Sequence, residues 1–224
     1  METPIVHSLH GVTLVGGAPV SRAALEGALR LAPTLVAADG GANRILALGH
    51  VPQTVVGDFD SISPAARVAF AARLHEVSEQ ETTDFDKALR LVAAPFVIAL
   101  GFSGARADHG LAALNTLARH PGRRCLILGA RDVMFLAPRA LTLRLPVGSR
   151  LSLFPLGPVT GESEGLRWPI GGIGFAPDGR VGTSNEVSAP KVVLRFDSAR
   201  MLVILPRVRV AAVLDALLPG WRAP

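Results

Sequence analysis

The chain has one cysteine, no tyrosine and few lysines among its 224 residues. A single thiol, Cys125, excludes an intramolecular disulfide, and its apolar setting in CLILG suits a buried, inert side chain. Lys87 and Lys191 are the only lysines, so 21 of the 23 basic residues are arginines. Arginine keeps its charge to very high pH and no phenol titrates on the way, so the strongly basic isoelectric point reflects composition. The formal net charge is a modest +5, the arginines are scattered apart from Arg123 and Arg124, and no basic run is interleaved with aromatics. A nucleic-acid partner is therefore not expected. Long hydrophobic runs are also missing: the most apolar stretch, LVAAPFVIALGF, is short and broken by Pro95, so no membrane partner is expected. The segment METPIVHSLHG has no basic region followed by an apolar one, so a signal peptide is not expected and a cytoplasmic location is. Neither GxxxxGK[ST] nor GxGxxG occurs, and the histidines form no zinc-spaced pair.

What is present is 49% hydrophobic residues, enough for a substantial core. Up to about residue 130, short strand-like runs (GVTLVG, TLVAAD, TVVGD, HEVS, PFVIALG, RCLILG) alternate with helical stretches (SRAALEGALRL, ANRILALG, PAARVAFAARL, DFDKALRLVAA, ADHGLAALNTLAR). Strands this apolar are buried on both faces, which predicts a parallel sheet covered by helices. From residue 132 the runs VMFLAP, LTLRLP, RLSLFPLG, LRWPI, VGTSN, KVVLRFD and RMLVILPR are separated by Gly, Pro, Ser and Asp, the pattern of antiparallel β structure. The expected fold class is an N-terminal α/β nucleotide-binding domain, residues 1–138, followed by an all-β sandwich domain, residues 139–224. The tail VRVAAVLDALLPGW reads as a terminal helix ending near Pro219.

Ligands on parallel α/β sheets bind at the carboxyl ends of the strands. Four predicted strand ends carry polar clusters: Asp39 opens DGGAN, Asp58 and Asp60 lie in GDFDS, Asp84 opens a helix, and Gly101 to His109 read GFSGARADH. On an extended backbone, positions i and i+2 face the same way, so Asp58 and Asp60 would present like charges together. Ser63 and Pro64 start the next helix by themselves, which leaves the paired aspartates without a capping role. A hard cation carrying phosphates suits them, since Mg²⁺ is held by a few carboxylates while substrate oxygens and water complete its shell. The glycine-rich GFSGARADH would admit phosphate oxygens to backbone amides, with Arg106 as a charge clamp. Simpler readings stand beside these. DGG also forms turns, Ser184-Asn185 suits a hairpin, Gly16 and Gly17 suit a tight turn, and Thr83 with Asp86 fits a capping box. Lys87 has the spacing to pair with a carboxylate one helical turn earlier, and Trp168 beside Pro169 suits a core position.

Taken in order, DGGANR, GDFDSI, TDFDKAL, GFSGARADH with NTL after it, GLRWPI and GTSNE resemble the thiamine pyrophosphokinase family over roughly residues 11 to 206. The resemblance implies a homodimer that transfers the pyrophosphoryl group of ATP to the hydroxyl of thiamine, with Mg²⁺ as cofactor and a thiamine site shared between subunits. By motif it implies Asp58, Asp60 and Asp84 as catalytic metal carboxylates, and Asp39, Gly40, Asn43, Arg106, Asp108 and His109 at the nucleotide and phosphates. It also implies thiamine contacts from Gln80, Trp168, Ser184 and Asn185. Trp168 would then stack on the flat, cationic ring of thiamine and serve the partner subunit's ATP. EQETTD departs from the family pattern, and Glu81 is expected to stand in for an aspartate there. A related pyrophosphokinase for a pterin acceptor, or a sensor without catalysis, are the rival readings. The first has no obvious use for GLRW and TSN, and the second has little need of three converging carboxylates.

Overall fold

In a computed structural model describing residues 3–220, the chain divides into two units. The first runs to Thr116 and includes Cys125–Gly129; the second comprises Leu117–Arg124 and the described residues from Ala130 onward.

The elements are numbered in chain order. The first unit contains β1 (Val6–His7), β2 (Val12–Val15), α1 (Arg22–Leu29), β3 (Thr34–Ala38), α2 (Gly41–Ala47), β4 (Thr54–Gly57) and α3 (Pro64–Ala69). It continues with β5 (Leu74–Glu76), α4 (Asp84–Arg90), β6 (Val92–Ala93), β7 (Val97–Leu100), the start of α5 (Ala107–Arg119) and β8 (Cys125–Leu128). Six of these strands form a parallel sheet in the order β8-β7-β2-β3-β4-β5. Every residue of β2, β7 and β8 is buried, as their unbroken apolar runs require. The chain builds outward from β2 through β3, β4 and β5, then returns to the other side of β2 with β7 and β8. The strand order therefore reverses between β2 and β7, the position on such a sheet whose carboxyl edge ordinarily receives ligands.

Local chemistry sets the helix starts. Ser21 and Ser63 accept the amides of Ala24 and Ala66, each at 3.2 Å, and Pro64 occupies the first turn of α3. The helix expected over DFDKALRLVAA stops at Arg90, because Val92–Ala93 leaves to pair in parallel with Val6–His7. PAARVAFAARL likewise breaks after Ala69 into a 3₁₀ turn over Ala71–Arg73.

The second unit holds β9 (Asp132–Leu136), β10 (Ala140–Arg144), β11 (Arg150–Pro155), β12 (Val159–Glu164), β13 (Gly174–Phe175), β14 (Gly182–Glu186), β15 (Lys191–Phe196), β16 (Met201–Pro206) and α6 (Val210–Leu217). Its strands pair antiparallel in two sets, β14-β11-β16-β9 and β10-β15-β12-β13. Burial alternates along β9 and β10, the signature of strands with one face toward a core. LRWPI does not form a strand and contributes a single bridge, Leu166 to Val187. VTGESE, too polar to read as a strand, forms β12 because both its neighbours supply ladder partners. The predicted tail helix is α6, while Trp221 lies outside the described residues. Among the described residues, no helix is long and apolar enough to cross a membrane.

Candidate active site

Asp39 follows β3 and Asp58 follows β4, so two neighbouring parallel strands deliver carboxylates to one edge. One carboxylate oxygen from each of Asp39, Asp58 and Asp60 lies within 4.8 Å of the others. Strand alternation does not produce this convergence. Phe59 stands between the aspartates with φ of 64°, a left-handed conformation that costs a non-glycine residue roughly 1–2 kcal/mol. Burial of its ring, the Arg67 guanidinium 5.5 Å above it and an Arg67 Nη2 bond to its carbonyl at 2.9 Å offset that cost. Asp39 is left-handed too, with φ of 41°. Gly57 makes room: a Cβ there would meet Asp39 Cβ at 2.8 Å and Asp84 Oδ1 at 3.2 Å.

Asn43 staples the loop that carries Asp60. Its Nδ2 donates to the Ser61 carbonyl at 2.9 Å, and its Oδ1 accepts the Ser63 amide at 2.8 Å. Ser61 Oγ donates to Asp60 Oδ1 at 2.7 Å. Gly40 lies against Ser61, where a Cβ would approach Ser61 Cβ to 3.3 Å.

Thr83 caps α4 through the Asp86 amide and presents Asp84 in the first turn. Lys87, buried to 1% exposure, sends its Nζ to Asp58 Oδ2 at 3.2 Å and to Asp84 Oδ1 at 3.3 Å. Gln80 Nε2 donates to the same Asp58 oxygen at 3.0 Å. The loop bearing Gln80 is gathered by Glu79, which accepts the amides of Glu81 and Thr82 at 2.8 and 3.0 Å, the Thr82 hydroxyl, and Arg90 Nη2 at 2.9 Å. Arg90 Nε also pairs with Asp86 at 3.0 Å. The Glu81 side chain is exposed.

The electrostatics separate these carboxylates. Burial, with the charge of Asp84 nearby, pushes Asp39 above the usual carboxylate range. Burial also raises Asp84 even though Lys87 pulls it down. Burial pushes Asp58 up as well, but hydrogen bonds from Gln80, the Asp60 amide and Lys87 outweigh it and leave it below its ordinary value.

The glycine-rich loops after β2 and β7 meet backbone to backbone. Gly101 adopts φ of 74°, and a Cβ there would lie 2.6 Å from the Gly16 carbonyl oxygen. Arg44 Nε, unmarked by the sequence reading, donates to the Gly17 carbonyl at 3.0 Å and ties that loop to α2. Arg106 and Asp108 form an exposed bidentate pair at 3.1 and 2.6 Å, and Asp108 also accepts the His109 amide at 3.0 Å. That pairing holds the Asp108 carboxyl down at about 2.

In the second unit, Trp168 is 52% exposed, with the Arg167 guanidinium 4.9 Å from its ring centre. Its main chain is clamped by buried Asn185, whose Oδ1 accepts the Trp168 amide at 3.2 Å and whose Nδ2 donates to the Trp168 carbonyl at 2.7 Å. Ser184 is left-handed, with φ of 60°, and its amide donates to Ser152 Oγ at 3.0 Å. The side chain of Asn185 is thus engaged in holding the tryptophan, a role its place in TSN does not reveal.

A divalent cation fits the acidic cluster on one direct observation. Asp39 Oδ1 is buried without a hydrogen-bond partner, a costly state for a carboxylate oxygen that a hard cation would relieve.

Glycine-rich loops and carboxylates at the carboxyl edge of a parallel sheet, with a separate antiparallel unit bearing an exposed aromatic, are features that suit group-transferring enzymes acting on nucleotide phosphates. Residues 25–127 match the thiamin pyrophosphokinase catalytic domain, and residues 141–201 match the thiamin pyrophosphokinase vitamin B1 binding domain. The chain belongs to the thiamine pyrophosphokinase family. It is 27% identical to thiamine pyrophosphokinase 3 of Oryza sativa subsp. japonica, over 75% of this chain and 76% of that protein. It is 28% identical to thiamine pyrophosphokinase 1 of Arabidopsis thaliana, over 72% and 73%. The crystal structure of yeast thiamin pyrophosphokinase superposes with a TM-score of 0.74 at 16% identity, covering 95% of this chain and 94% of that one, a likeness of fold.

Proposed function

We propose that this protein transfers the pyrophosphoryl group of ATP to the hydroxyl of thiamine, giving thiamine diphosphate and AMP. Family membership names the reaction; the single structural observation that carries it is the convergence of Asp39, Asp58 and Asp60 at the carboxyl edge of the parallel sheet. The thiamine oxygen attacks the β-phosphorus, a new P–O bond forms, and the bond from the β-phosphorus to the bridging oxygen of the α-phosphate breaks in line to release AMP.

Asp58, Asp60 and Asp84, joined by Asp39, would hold Mg²⁺, which when bound neutralises and orients phosphate oxygens. Gly40, Asn43, Arg106, Asp108 and His109 line the nucleotide side in this reading, Asn43 by fixing the aspartate loop. Asp84 is our candidate to accept the hydroxyl proton, a role that suits a carboxyl raised by burial. Gln80, Trp168, Ser184 and Asn185 form the thiamine side, Trp168 as a face for a flat cation and Asn185 as its support. The division into a catalytic region, 1–138, and a thiamine-binding region, 139–224, belongs to this reading. So do a cytoplasmic homodimer and a thiamine site shared between subunits.

The test is incubation of the purified protein with thiamine, ATP and Mg²⁺, following AMP and thiamine diphosphate by chromatography, with hydroxymethylpterin and no-acceptor controls. Equal formation of both products, dependent on thiamine and Mg²⁺, is expected. A folded protein that forms no product from thiamine overturns the proposal.

A further inference from the structure

Lys87 is one of two lysines in a chain that otherwise uses arginine for its fixed positive charge. It is also among the largest fully buried side chains of the described residues. Burying an ammonium is costly unless it is paired, and Lys87 is paired twice, with Asp58 at 3.2 Å and Asp84 at 3.3 Å. Asp84 is its neighbour at i−3, but Asp58 lies 29 residues away at the end of β4, so the ammonium joins two separately delivered carboxylates. A compact charge with rotatable donors fits between two carboxylates that meet at a point, where the flat fork of an arginine would not.

Asp58 Oδ2 accepts from both Lys87 and Gln80, while Oδ1 accepts the Asp60 amide at 3.3 Å. Lys87 thus loads one oxygen of Asp58 and offsets one negative charge of an acidic group that also contains Asp39 and Asp60. Mg²⁺ gives up its water reluctantly and is usually held by one or two protein carboxylates together with substrate phosphates. An acidic group whose charge is already partly offset attracts the free ion less.

We propose that Lys87 is a resident counter-cation. It is a positioning residue that holds Asp58 and Asp84 in place before any metal arrives. It keeps the cluster's charge too low to retain a divalent ion alone, so that the ion binds together with the nucleotide's phosphates. This rests on the reading of the cluster as the Mg²⁺ site.

The test follows free Mn²⁺ by electron paramagnetic resonance as it is titrated into wild-type protein and Lys87→Met, first alone and then with a non-hydrolysable ATP analogue. Without nucleotide, the variant is expected to bind Mn²⁺ at least about tenfold more tightly, as loss of a nearby positive charge requires. With the analogue, the two proteins converge. Equal affinity without nucleotide overturns the proposal.

The Mn²⁺ dependence of thermal melting supplies a readout that packing alone would not move. Lys87→Met should melt lower than wild type without divalent ions and recover most of the loss when Mn²⁺ is added. The same loss with and without Mn²⁺ overturns the proposal. If Lys87→Met fails to fold, the double variant Lys87→Met with Asp84→Asn removes one carboxylate charge along with the ammonium and should fold and melt above the single variant. A double variant no more stable than the single one also overturns the proposal. Formation of thiamine diphosphate by wild-type protein tests the enzymatic reading separately, so an active enzyme with unchanged Mn²⁺ binding in the variant removes only the role of Lys87.

Discussion

The acidic edge of the first unit and the tryptophan of the second are built by opposite means. At the edge, four aspartates are gathered by left-handed residues, a glycine without a Cβ and a buried lysine, and one carboxylate oxygen is left without a partner. Trp168 is an open aromatic face whose main chain is satisfied by a neighbouring amide. The first stores unfavourable electrostatics that a cation with phosphates would relieve. The second stores little and offers surface. Charge and metal chemistry should therefore depend on the edge, and affinity for a flat cation on the tryptophan.

The sharpest break in that contrast would come from the edge. Asp58→Asn or Asp60→Asn should lower turnover on the order of 10²–10³-fold, as for loss of one preorganised electrostatic group, while circular dichroism and melting show an intact fold. Normal turnover in both variants would remove the metal-site reading.

Trp168→Ala should act on the other term. The KM for thiamine should rise roughly tenfold with kcat little changed, in keeping with about 0.5–2 kcal/mol for a cation over an aromatic face. A fall in kcat with constant KM would mean that the ring takes part in the chemistry.

Asn185→Ala sharpens the comparison by separating the clamp from the platform. It should cost about 1–3 kcal/mol of stability by leaving the Trp168 amide and carbonyl unpaired. Its effect on the KM for thiamine should not add to that of Trp168→Ala in a double-mutant cycle. Full additivity would mean that Asn185 acts independently of the ring.

The smallest expected effect has the most informative sign. Because burial raises Asp39 in the folded state, its contribution to stability is fully present below the ordinary carboxylate value and is lost as pH rises through the raised one. Asp39→Asn should therefore stabilise the metal-free protein at neutral pH, by about 1 kcal/mol, and the gain should vanish on acidification. Urea melts at several pH values check this. Destabilisation at neutral pH would mean that the ionised carboxylate is already well satisfied without metal.

The parallel sheet was legible because β2, β3, β4, β7 and β8 are apolar runs separated by helical stretches, and burial on both faces leaves a run little else to be. The edge on which the aspartates sit follows from parallel pairing alone. How they meet was not legible, since nothing local marks Phe59 for a left-handed turn; its conformation depends on Arg67 and on burial of the ring. Lys87 was half legible. The helix spacing gives Asp84, whereas Asp58 arrives through the sheet. Asn43 and Asn185 read as ligand contacts by motif, and the structure shows their amides engaged with the main chain of other segments. β12 was missed because Thr160, Glu162 and Glu164 carry no core-facing pattern, and its pairing comes from β13 and β15.

Glu79 draws two amides, a hydroxyl and a guanidinium onto one carboxylate, and Arg90 fastens the assembly to α4. A short polar loop ordinarily surrenders its conformational freedom when a ligand arrives, at a cost in affinity. Here the chain gives up that freedom while folding, so the Gln80 amide is already on Asp58 and, in the proposed reading, more of the binding energy would remain for the reacting groups.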